Sequence, residues 1–180
     1  MSLNHTSKYA ELTDAHFTAI GKVVVEWSNI EFLLRTILAR LLFTAEFLAR
    51  SYTDRLTAAK VQEAIDEAVE IQRSRYGAKI VTDSILDEIA AINKKITLLR
   101  NTRNKFAHFC WCRSTDYEIF GTRFSGGVPN PKRERKDSVV LSVTELEAFY
   151  RDAYAIVDSL EKLVSKLPEL EEESLNQRLA

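Results

Sequence analysis

The stretch DSILDEIAAINKKITLLRNTRNKFAHF, residues 83–109, carries two superimposed patterns, and together they set the architecture. With Ile89 set at zero and about 100° per residue, Ile85, Leu86, Ile92, Ile96, Leu99 and Ala107 share one face, with Phe106 at its edge. That period predicts one long amphipathic helix, starting near Thr82 or Asp83 and ending at about Phe109. Arg103 falls at about −40° and Arg100 at about 20°, inside the apolar face. Beside that face run Asn93, Thr97, Asn104 and His108, with Asn101 next to them and no acidic residue among them. Amides, a hydroxyl, one histidine and an adjacent arginine suit an anionic oxygen ligand. The same set also suits a polar contact between helices.

Towards the N-terminus, residues 14–43 predict a first long helix. With Trp27 at zero, Ile20, Val23, Val24, Ile30, Leu34, Ile37, Leu38, Leu41 and Leu42 lie within about 80° of it. Glu31 lies at about 40° on that stripe, and a buried carboxylate needs a cation or donors. Arg103 is its candidate ion-pair partner; a stripe-edge position reaching water is the alternative. Residues 44–56 read as a short helix or helical loop, and Ala58 to Arg75 as a helix stopped by Gly77. Residues 116–124 and 137–143 are short β-type runs flanking the turn-forming 126–131 segment, which predicts a hairpin.

A capping box, Thr144 with Glu147, opens a last helix whose apolar face runs from Leu146 to Leu167. Pro168 and an acidic tail close the fold. The expected class is all-α: an up-and-down helical bundle of four or more helices, with a short β-hairpin insert before the last helix. Residues 1–180 read as a single domain with a core at about 12–167 and a loose N-terminus.

Composition narrows the function. The chain has 180 residues, 46% apolar and 28% charged, enough for one domain with a real core and too apolar for disorder. No apolar run spans a bilayer and no secretory pattern opens the chain, so a cytoplasmic protein without a membrane partner is expected. Cys110 and Cys112, around Trp111, match neither a disulfide scaffold nor a zinc spacing. There is no HExxH, no Walker loop and no GxGxxG, so no metal and no cofactor is expected. Residues 100–136 hold 9 basic and 3 acidic side chains, and 137–180 hold 4 and 10. The basic segment is the place to look for a phosphate-bearing partner.

Arg103-Asn104-Lys105-Phe106-Ala107-His108 resembles the R-N-x-x-x-H signature of the HEPN domain superfamily. Its surroundings resemble that family too: a long first helix with Trp27-Ser28-Asn29-Ile30-Glu31, the motif late in a later helix, a short β-type insert, then a final helix. The resemblance covers about residues 12–167. It implies a helical homodimer joined near the motif and, in many relatives, a metal-independent endoribonuclease serving as a toxin or a defence or stress component. Arg103 and His108 would then be catalytic, and Asn104 would orient or bind phosphate. Other members of the family are silent modules that bind RNA, a nucleotide or a protein. An antitoxin or a nucleotidyltransferase is a partner such a family implies. Some relatives carry a modifiable tyrosine two residues after the histidine; here that position is Cys110.

RNA cleavage by 2′-OH attack needs a base and an acid, which histidine supplies near neutral pH, and a cation for the phosphoryl charge. His5 lies in the loose start and His16 in the first turns of helix one, which leaves His108 alone. A two-histidine mechanism therefore predicts a homodimer. Asn101 and Thr97 are candidate substrate contacts. Lys132, Arg133 and Arg135 in the hairpin connection could follow an RNA backbone or form a solvated loop. Trp111, Tyr117 and Phe120 are candidates for base stacking or for core.

Overall fold

The computed structural model describes residues 10–123 and 138–170. Among them the elements run α1 (Asp14–Leu41), α2 (Glu46–Thr53), α3 (Ala58–Tyr76), α4 (Asp83–His108), β1 (Cys110–Arg113), β2 (Glu118–Thr122), β3 (Ser138–Ser142) and α5 (Val143–Lys166). The chain is mostly helical, as expected, with a small antiparallel sheet in the order β1-β2-β3. The predicted hairpin strands are β2 and β3, paired with Ile119 opposite Leu141 and Gly121 opposite Val139. β1 is an addition to the expectation: the Cys110–Arg113 segment pairs with β2, Trp111 opposite Gly121. No helix among the described residues is long and apolar enough to cross a membrane.

The chain divides into two compact units, and α1, α4 and α5 each contribute to both. The first unit takes Met1–Trp27 and Leu99–Ala153. Its core gathers Ala10, Leu12 and Ala19 with Ile119 of β2 and Leu146 of α5. Phe106, Trp111 and Leu141 pack against that cluster. The Arg113 amide donates to the Ala10 carbonyl at 2.9 Å, which ties the chain ahead of α1 to the outer edge of β1.

Both helices that open in this unit start with a reciprocal cap. At α1 the Thr13 hydroxyl oxygen accepts from the His16 amide, and His16 Nδ1 accepts from the Thr13 amide, at 3.4 and 3.2 Å. At α5 the Ser142 hydroxyl oxygen accepts from the Glu145 amide, while Glu145 Oε2 accepts from the Ser142 amide and hydroxyl, both at 2.8 Å. The box is therefore Ser142 with Glu145, two residues earlier than Thr144 with Glu147. β3 ends at Ser142 and the helix begins without a spacer, so the earlier of two overlapping boxes is the one used.

The second unit takes Ser28–Leu98 and Tyr154–Ala180. Polar links join its helices in a ring. The Gln72 side-chain amide donates to the Leu41 carbonyl, joining α3 to α1, and Gln62 bonds Asn93, joining α3 to α4. Lys166 pairs with Glu88, joining α5 to α4, and Arg40 donates to the Val164 carbonyl, joining α1 to α5. Between these links lie Ile30, Leu34 and Ile37 of α1, Ile65 and Val69 of α3, Leu86 and Ile89 of α4, and Leu160 and Leu163 of α5, all buried.

Within this unit successive helices alternate in direction, as expected of an up-and-down bundle. α2 carries the chain back so that the Thr53 and Leu56 carbonyls accept from Arg35, and α3 then starts beside Arg35 and ends beside Leu41, in the same sense as α1. α4 opposes α3, since Gln62 meets Asn93 and Arg73 meets Asp87. Thr57 caps α3, and Gly77 ends it at φ 56°, a left-handed conformation that glycine adopts without a Cβ penalty.

Candidate functional site

The motif occupies the last turns of α4, in the first unit, and the strand β1 immediately after it holds it in place. Trp111, one residue into β1, stacks on Phe106 with centroids 5.3 Å apart and planes at 18°, and its indole N–H donates to the Phe106 carbonyl at 3.4 Å. Phe109 and Phe149 complete the aromatic group, at 6.0 Å from Trp111 and 5.8 Å from Phe106. Such stacked and tilted pairs each add about 0.5–1.5 kcal/mol beyond burial. Trp111 can lie flat over the sheet because Gly121 sits opposite it; a Cβ there would stand 2.5 Å from the ring. Sequence reasoning misses Gly121. A glycine inside a β-type run is the signal that could have found it.

On this anchored turn the motif side chains diverge. Arg103 is half-buried, and its guanidinium lies over the Trp27 ring of α1 at 5.5 Å from the centroid, a cation–π contact. Asn104 and His108 are exposed and one helical turn apart, on one face together with the exposed Asn101. Arg103 and His108 are five residues apart, which is about 140° around a helix. One copy of α4 thus presents its histidine and amides to solvent and its arginine to a tryptophan. The exposed side chains of Asn101, Asn104 and His108 make no hydrogen bond or ion pair among the described residues.

The other residues singled out in the sequence fall elsewhere. Thr97 is in the second unit, exposed, with its hydroxyl accepting from the Gln62 amide at 3.0 Å and donating to the Asn93 carbonyl at 3.1 Å. Asn93 is buried and donates to Asp66 at 2.7 Å and to the Gln62 carbonyl at 3.0 Å, a polar contact between helices. Glu31, also in the second unit, lies 4.0 Å from Arg35 one turn along α1. Lys132, Arg133 and Arg135 lie outside the described residues, as does His5.

Of the three aromatic candidates, Trp111 belongs to the core packing, Phe120 is half-buried, and Tyr117 is 76% exposed. Cys110 and Cys112 are free thiols, the second donating to the Phe120 carbonyl at 3.6 Å. Among the described residues no group of three or more His, Cys, Asp or Glu is placed to hold a metal ion.

His16 is the other histidine in view. It is fully buried, its Nδ1 is engaged by the Thr13 amide, and burial, reinforced by the Arg113 charge, pushes its pKa below the usual histidine value. Held neutral inside the fold, it has no route to an external substrate.

Comparison of the chain with family models, with curated proteins and with solved structures returns no match in any of the three.

Proposed function

We propose that the chain is a HEPN-like, metal-independent endoribonuclease that acts as a homodimer, with Arg103, Asn104 and His108 at the site. The observation that carries the reading is the exposed pair Asn104 and His108 on an aromatically anchored helix end, next to an arginine. In the reaction a His108 imidazole removes the 2′-hydroxyl proton, and the 2′-oxygen attacks the adjacent phosphorus. A second imidazole protonates the departing 5′-oxygen, leaving a 2′,3′-cyclic phosphate and a free 5′-hydroxyl. Arginine offsets the extra charge on the phosphoryl oxygens.

Among the described residues His108 is the one exposed histidine, and in this reading the second imidazole comes from a second copy of the chain. A partner α4 laid across the first also compensates for the divergence of Arg103 from His108 within one helix. Serving as a toxin or defence component, in the cytoplasm and under an antitoxin's control, is the biological role that fits this chemistry.

The half-burial of Arg103 over Trp27 favours a second reading, a silent module of the same type that binds RNA, a nucleotide or a protein without cutting. End-labelled RNA incubated in EDTA separates the two. Cyclic-phosphate ends from wild type, absent with folded Arg103→Ala and His108→Ala proteins, are the expected result. Intact RNA with folded wild type overturns the enzymatic reading.

A further inference from the structure

Within the second unit, α4 and α5 enclose a groove of about 320 Å³ lined by Glu88, Ala91, Ile92 and Lys95 on one side and Ser159, Lys162 and Lys166 on the other. The lining residues recur every three or four positions on both helices, so each set is one helix face. Ala91 and Ser159 are small, and that opens the space. Three ammonium groups line the groove with the Glu88 carboxylate, and Asp158 pairs with Lys162 beside it, a local charge of +1 in a chain whose overall charge is −1.

We propose that this groove holds the phosphate backbone of a single RNA strand; the choice of RNA rests on the reading of the chain as acting on RNA. The lysines are available for the exchange. Lys166 pairs with Glu88 at 2.7 Å and Lys162 with Asp158 at 2.6 Å, but all four side chains are about half exposed or more. Exposed pairs of this kind are worth only about 0–1 kcal/mol, so phosphate oxygens can replace the carboxylates at little cost. Lys95 makes no ion pair or hydrogen bond among the described residues.

Ammonium groups act as compact point charges, which suits phosphate and does not discriminate between bases. The groove has no aromatic ring to stack a base, only Ala91 and Ile92 as apolar floor. A free nucleotide would therefore lose the grip on its base, whereas a polynucleotide needs only its phosphates held.

The test uses the full chain carrying His108→Ala, so that RNA stays intact, with a fluorescein-labelled oligouridylate read by anisotropy across a salt series. Adding Lys95→Gln and Lys162→Gln is expected to weaken binding about tenfold and to flatten the log–log salt slope by about 1.4, two contacts at about 0.7 each. Lys60→Gln, which removes one such charge from the exposed face of α3, is expected to alter binding less than about twofold. Equal weakening by Lys60→Gln, or none by the groove pair, overturns the proposal. Pyrophosphate competing as tightly as the oligouridylate overturns the strand and leaves a small-anion site. Loss of cleavage activity from the wild type in EDTA bears on the proposed reaction alone, because groove-dependent binding is measured without it.

Discussion

Trp111 of β1 lies across Gly121 of β2, and a single added carbon on Gly121 would stand 2.5–2.8 Å from three atoms of the indole. The ring cannot yield freely, since Phe106 stacks on its other side and its N–H is tied to the Phe106 carbonyl. Gly121→Ala is expected to cost about 1–3 kcal/mol, the usual cost of overpacking, read as a lower urea midpoint with an unchanged slope. Because Phe106 belongs to the motif-bearing turn, RNA cleavage should fall more than the folded fraction does. A midpoint equal to wild type would show that the indole has room to move.

The start of α5 separates two overlapping boxes. Ser142→Ala removes the hydroxyl that accepts from the Glu145 amide and is expected to cost about 1 kcal/mol, while Thr144→Ala stays within about 0.5 kcal/mol of wild type. Glu145 is held below the ordinary carboxyl value by hydrogen bonds from the Ser142 amide and hydroxyl. Its contribution is therefore present above the unfolded pKa and lost as pH falls through the folded one. The Ser142→Ala deficit should shrink in acid, measured by denaturant titration at two pH values.

His16 makes the start of α1 in the same unit sensitive to pH. Its folded pKa is lowered by burial and by Arg113, and Asp116 opposes the shift without overcoming it. Protonation would also remove the Nδ1 acceptor that the Thr13 amide uses. The unfolded chain takes up its proton first, near 6.5, so stability is full above that value and falls as pH drops towards the lowered folded pKa. Thermal scans from pH 7.5 to 5 should show a steeper loss for wild type than for His16→Gln. Parallel curves would mean that His16 does not titrate between the states.

Much of this fold is legible in the residues because the helix signals are local. Thr57 and Gly77 bound α3, and the spacing through residues 83–109 marks α4 to within a residue of its end. β1 is not legible, because Cys110–Arg113 is four residues long, comes directly after a helix, and holds too little alternation to show a period. The wheel finds the direction of a face but not its width. Val24 and Leu42, placed on the buried stripe of α1, are 51% and 53% exposed, and Ala107 of α4 is exposed as well. At the site, the motif and its helix can be read directly. The Trp27 beneath Arg103 comes from a chain segment remote in sequence, and no local pattern announces it, whereas the Gly121 beneath Trp111 is marked only by being a glycine inside a β-type run.

The proposed site is assembled from two copies of α4, each lending one His108, and a mixing experiment addresses that assembly. Wild type is combined with an equal amount of His108→Ala, equilibrated so that chains exchange, and assayed in EDTA on end-labelled RNA. If each cleft needs two imidazoles, only wild-type pairs cut, and activity per wild-type chain falls to about half that of wild type alone. Activity per wild-type chain that stays constant across the mixing series would contradict the account, and the reaction would then belong to single chains.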